Sequence, residues 1–148
     1  MSLQAEYNWR RVKNGLPHFA AITLRAERND AAGEHRIVEA YAGEGFASQG
    51  YFESVPANGY DDWKAGVHDG LKYALSKLEG YWTVTVEKLE GVSTDTNQTI
   101  AGYVAIRALW EKAGYHPAAA ETARLEDMVF SSWKRDRGQG IPDFFPPA

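Results

Sequence analysis

The residue types that most often do chemistry are few in this chain and poorly spaced for it. Its four histidines are His18, His35, His68 and His116. There is no His-x3-His and no His-Glu-x-x-His, so neither common zinc-ligand spacing is present. His68 and Asp69 are neighbours on an expected helix. Successive helical side chains diverge by about 100°, so these two do not hold one ion together. His18 and His116 stand beside prolines and read as loop residues. Asp61, Asp62 and Asp69 could act as acid–base carboxylates, but a place in the positive first turn of a helix accounts for the first two. The serines lie outside any Gly-x-Ser-x-Gly elbow. With no cysteine, disulfides, thiolate nucleophiles and cysteine-ligated zinc are excluded together. No nucleophile, base and oxyanion donor come together at these spacings. The expectation is no catalytic residue, no cofactor and no metal, which leans away from an enzyme.

One polar stretch stands out, "GVSTDTNQT" at Gly91–Thr99, where an alternating strand becomes a helix. Asp95 or Thr94 suits the N-cap of that helix, and Asp95-x-x-Gln98 has the spacing of a capping box. On that reading Asp95→Ala costs about 0.5–2 kcal/mol. The free N–H groups of a helix start could also hold a phosphate or carboxylate, although Asp95 itself would repel an anion.

The elements that must position this stretch follow from hydrophobic spacing. A chain of 148 residues with 44% hydrophobic and 13% aromatic residues is expected to form one domain, residues 1–135. Residues 136–148 are Pro/Gly-rich and expected to be a flexible tail, with Phe144 and Phe145 able to dock on the body or on a partner. A net charge of −4 gives no whole-chain footprint for nucleic acid. The basic clusters Arg10, Arg11, Lys13 and Lys134, Arg135, Arg137 read as solvated termini. No apolar run approaches the roughly 18 residues of a membrane span, and a cytoplasmic location is expected. Residues 1–17 carry no clear period and end in a turn, "NGLP". His18–Glu27 and Arg36–Gly43 read as strands joined in a long-looped hairpin, with a third strand around Phe46–Phe52. The apolar stripe Tyr60, Trp63, Val67, Leu71, Leu75 and Leu78 predicts a helix from Tyr60 to Leu78, capped at Asn58 and stopped by Gly80. Trp82, Val84 and Val86 alternate with Thr83, Thr85 and Glu87 as a strand. A second helix is expected from about Thr96 to Ala113, closed by Gly114, and a third from Ala120 to about Arg135. This order predicts an α+β fold, a mostly antiparallel sheet with two main helices on one face and an added C-terminal helix.

The order β-β-(β)-α-β-α, together with particular residues, resembles domain IV of translation elongation factor G and its relatives. "VHDGL" (Val67–Leu71) stands where that family has a Val-x-x-Gly-(Ile/Leu) core. "EGYWTVTV" (Glu79–Val86) stands where it has a Gly-Tyr link into a strand. Asp95-Thr96-Asn97, leading into "AGYVAIRAL", stands where it has an Asp followed by two serines and a long helix. The resemblance covers about Pro17 to Tyr115. It implies the fold of the second domain of a small-subunit ribosomal protein, including a left-handed crossover. It also implies a tip made by two loops, here Asn14 to His18 in "KNGLPHF" and Val92, Ser93, Thr94, Asp95, Thr96 and Asn97. The family's first tip loop is glycine-rich, and its second has a histidine where this chain has Val92. The chain has no Gly-x4-Gly-Lys-(Ser/Thr) loop and so no GTPase module. A stand-alone, diverged domain is the implication, with weak ribosome binding or none.

Trp9, Tyr41, Phe46, Tyr51, Phe52, Trp110 and Trp133 exceed what a small core needs, and any left exposed together would mark an interface. The expected function is a non-catalytic interaction domain that binds a protein partner or RNA or forms a homodimer, with no membrane involved. The alternative is an enzyme or small-molecule binder with a pocket between the sheet and the added terminal segments.

Overall fold

A computed structural model describes residues 3–46, 51–135 and 142–146. Its first element is a strand that the sequence pattern does not predict. Ala5, Tyr7 and Trp9 turn inward and alternate with exposed Gln4, Glu6, Asn8 and Arg10, making β1 (Leu3–Lys13). The period escapes notice because the inward set includes a small alanine and a tyrosine, and the strand then continues into charged Arg11 and Lys13. Asn14 and Gly15 reverse the chain with φ of +54° and +77°, as a two-residue hairpin turn of the mirror-image type requires. β2 (Leu16–Arg28) returns alongside, in register from Lys13↔Leu16 to Leu3↔Ala26.

The hairpin expected between His18–Glu27 and Arg36–Gly43 does not form. After a 3₁₀ turn (Asp30–Ala32), β3 (Arg36–Glu39) is short and pairs in parallel with β5 (Trp82–Gly91). β5 also pairs antiparallel with β2, with a bulge at Thr23/Leu24. β4 (Glu53–Ser54) adds to the far end of β5, and the sheet order is β1-β2-β5-β3. The strand expected around Phe46–Phe52 falls partly on residues 47–50, outside the described residues. The flanking chain contributes β4 and a single bridge, Gly45↔Ser54.

The helices are α1 (Asp61–Leu75), α2 (Gln98–Ala113) and α3 (Ala119–Arg135). α1 begins one residue later than its stripe predicts. Its cap position is Tyr60, left-handed at φ 58°, rather than Asn58. It ends at Leu75 instead of Leu78, and Gly80 belongs to the turn that follows. α2 closes as expected on left-handed Gly114, whose N–H reaches the carbonyl of Trp110. The fold is α+β, and one core lies between the inward sheet residues Ala20, Ile22, Leu24, Val84 and Val86 and the helix residues Val67, Leu71, Ile100, Val104 and Leu109. Among the described residues, no helix is long and apolar enough to cross a membrane.

α1 and α2 touch through their backbones. A Cβ on Gly66 would run into the carbonyl of Gln98, and one on Gly70 into the carbonyl of Gly102. A Cβ on Gly102 would lie 2.5 Å from the carbonyl oxygen of Gly66 and 2.6 Å from the Phe144 ring. Phe144, 1% exposed, therefore docks on the body over this crossing, while the more exposed Phe145 packs edge-on against Tyr73 at 5.1 Å. In an ordinary helix Gly→Ala gains up to about 1 kcal/mol. Here the overlap is with backbone and cannot be relieved by a rotamer change. Gly66→Ala is expected to destabilise the protein by at least about 1 kcal/mol net, read as a lower urea midpoint at unchanged slope.

Candidate functional site

Both expected tip segments lie at one end of the sheet. They meet where the Phe19 N–H donates to the carbonyl of Asp95 at 2.8 Å. Thr96 locks the same junction: its hydroxyl donates to the Phe19 carbonyl at 2.6 Å and accepts from the Val92 N–H at 2.9 Å. Val92 itself is buried against Phe19 and Ala21. The position that carries a histidine in the resembling family therefore faces inward here.

The helix cap is Asn97, not Asp95 or Thr94. Asn97 has extended backbone, and its Oδ1 accepts from the Ile100 N–H at 2.9 Å. Its Nδ2 donates to Ser132 Oγ at 2.8 Å, tying the start of α2 to α3. The Asp95 carboxylate accepts a local bond from the Thr94 hydroxyl at 2.6 Å and caps nothing. Thr96 is consumed by Phe19 and Val92, so the capping residue is the next one along.

Glu53 carries no sequence signal and proves central. It is 3% exposed, and both carboxylate oxygens are engaged. Oε1 accepts from the Tyr60 hydroxyl at 2.7 Å. Oε2 accepts from the Ser93 N–H at 2.8 Å and from the Ser93 hydroxyl. Three donors make burial of the carboxylate tolerable. Burial, then the bond to Glu53, raises the Tyr60 hydroxyl to about 12. Glu53 thus anchors the β5–α2 loop to the start of α1. Ser93 donates to a carboxylate with no imidazole beside it, which is an anchor and not an activated nucleophile.

His18 is not a loop residue. It lies on β2, faces the helices, is fully buried, and packs edge-on against Phe130 of α3 at 5.2 Å. Neither ring nitrogen has a hydrogen-bond partner. Burial pushes its pKa below the ordinary value, with the nearby backbone of Arg11 and Leu16 and the Asp95 charge acting in the opposite sense. Asn14 lies farther out, in the hairpin turn.

Of the surplus aromatics, Trp9, Tyr41 and Trp110 are core, Trp133 is half-buried, and Phe46, Tyr51 and Phe52 are exposed. Phe52, 56% exposed, stacks on Phe19 at 5.1 Å, and the Arg10 guanidinium lies 4.5 Å over the same ring. Val12, on the same face of β1 as Arg10, is 71% exposed. Phe19 thus has Arg10 and Phe52 packed on it, with Val12 near the hairpin end.

A second concave region runs between β3 and α1. One groove of about 460 Å³ includes Glu39, Lys64, His68 and Asp69. Its neighbour, about 380 Å³, includes His35, Ile37, His68 and Lys72. Lys64 donates to the carbonyl of Ala57 in the same groove at 2.8 Å, and His35 Nδ1 accepts from the Trp82 N–H at 3.1 Å. Among the described residues, no group of three His, Asp or Glu side chains could hold a metal.

No protein-family model matches this chain, and no curated protein matches it. A crystal structure of ttk003000868 from Thermus thermophilus is similar, with a TM-score of 0.58 over 92% of this chain at 14% identity. This chain spans 21% of that protein's length. The likeness is one of fold.

The bonding of the loop separates its two candidate caps. Asn97→Ala removes the cap and one donor to Ser132 Oγ, whose own hydroxyl still donates to the Val129 carbonyl at 2.6 Å, and should cost about 1–2 kcal/mol. Asp95→Ala leaves the Phe19–Asp95 backbone bond intact and should cost less than about 0.5 kcal/mol. Thermal melts of the two variants check both. His18 is disfavoured as a cation in the folded state, whereas the unfolded chain takes a proton near its ordinary pKa. Its contribution is therefore fully present above about pH 6.5 and is lost as pH falls through the depressed folded value. A His18→Phe variant should show a flatter fall of melting temperature below about pH 6.5 than the parent.

Proposed function

We propose that this chain is a non-catalytic interaction domain of the elongation factor G domain IV type, and that it binds a protein partner through the patch around Phe19. The observation that carries this reading is Phe52, an exposed ring held in a fixed stack on buried Phe19 beside Arg10 and near exposed Val12. A large apolar ring held exposed beside a cation has the composition of an interface anchor. The kinship with domain IV is supported by the parallel β3–β5 pair joined through α1. It is also supported by the glycine of "VHDGL", Gly70, which meets Gly102 of "AGYVAIRAL".

The tip loops favour a protein over RNA. Val92 is buried, and Thr96, Asn97 and the Asp95 carbonyl are spent on internal bonds, so the β5–α2 loop offers few groups to a nucleic acid. A second reading, a small-molecule site in the β3–α1 groove, is favoured by the volume there and by His68 on both of its parts.

The test is affinity capture from native lysate with the parent and Phe52→Asp side by side, with bound RNA sequenced. A protein retained by the parent and lost from Phe52→Asp supports the reading. A protein retained equally by both contradicts it, as does RNA or ribosome capture that resists high salt. A metabolite that raises the melting temperature of both proteins equally favours the groove.

A further inference from the structure

β1 has β2 on one side and, among the described residues, no strand on the other. The Phe19 N–H points away from β1, to Asp95. Phe19 is opposite Arg10, so this is a position where the β1–β2 ladder exchanges no bonds. The alternation then sends the N–H and C=O groups of Gln4, Glu6, Asn8, Arg10 and Val12 to the free edge. The side chains of all five are exposed. The Arg10 carbonyl is covered by nothing more than the Arg11 guanidinium, at 2.7 Å. This is a long unpaired edge of the kind that accepts another strand.

We infer that the occupant is a second copy of the same chain, with the two β1 strands antiparallel about a two-fold axis at Asn8. The charges select both the partner and the register. Edge groups belong to the even-numbered residues, so even must face even. With Asn8 opposite its own copy, Glu6 of each chain lies opposite Arg10 of the other, twice by symmetry. Opposite charges directly across a ladder attract. Moving the axis to Tyr7 puts Glu6 opposite Asn8, and moving it to Trp9 puts Glu6 opposite Val12. Both shifts lose the two charge pairs. Among the described residues, Glu6 and Arg10 form no ion pair within the chain. Side chains at Gln4, Glu6, Asn8, Arg10 and Val12 would then share one face of a doubled sheet, an isologous contact that closes at two copies. The proposal uses the strand edge and not Phe52, but Arg10 and Val12 belong to both surfaces, so Glu6 and Asn8, which lie outside the Phe19 patch, are the positions that separate the two.

Sedimentation velocity across a range of concentrations tests it, on the full chain and on Glu6→Arg, Arg10→Glu, the double charge swap, and Asn8→Pro. Each position is exposed, and the Asn8 N–H takes no part in the β1–β2 ladder, so circular dichroism should show a retained fold. The parent should dimerise reversibly. Each single charge change should raise the dimer dissociation constant about tenfold or more, because like charges then meet twice. The double swap should restore it, and Asn8→Pro should give monomers. A parent that stays monomeric at every concentration overturns the proposal. So do single variants that dimerise as well as the parent, or a double swap no better than either single. Loss of partner capture in Phe52→Asp with dimerisation unchanged would separate the two surfaces.

Discussion

The backbone contact between α1 and α2 sets the rest of the molecule. Gly66, Gly70 and Gly102 let the helices approach until carbonyls replace side chains at the crossing. The Gln98 carbonyl beneath Gly66 fixes the first residue of α2, and thereby where Asn97 can cap and where the loop from β5 must end. α2 is in turn buried along most of its length, from Gln98 to Trp110. Small inward residues on the strands below, Ala5, Ala20 and Ala26, give it room. Phe144 covers the crossing from the outside, so a residue distant in sequence closes the same contact.

That constraint explains why the β5–α2 loop is a rigid joint. Glu53, Thr96 and Asn97 are buried polar residues, and each is satisfied by groups from other elements. A buried polar residue that lost its partner would cost more than its bond contributes, so the joint specifies one geometry. His18 is the exception, an unpartnered ring held by packing on Phe130. The joint also fixes Phe19, on which Phe52 stacks at 5.1 Å.

The sequence was most legible where one element buries one face. The stripe Trp63, Val67, Leu71 and Leu75 located α1, and the alternation of Trp82, Val84 and Val86 located β5. It was least legible where a distant partner decides. β3 looks like the hairpin mate of β2, yet its parallel neighbour β5 lies beyond α1 in sequence. Asp95 and Asn97 are both good caps by type. Only the bonds of Thr96 to Phe19 and Val92 show that the first is spent upstream. Pro17 disguised His18 as a loop residue. On β2 it stands opposite Val12, at a position where the ladder needs no N–H, and so does not end the strand. Glu53 sits in a two-residue strand with no period to mark it.

If the helix crossing organises the tip, the tip must not open by itself. Native-state hydrogen exchange tests this directly. The amides of Phe19, Val92 and Ile100, which bond to Asp95, Thr96 and Asn97, should exchange with the same opening free energy as amides in the centres of α1 and α2. Exchange of these three by local opening, while the helix centres stay protected, would contradict the account.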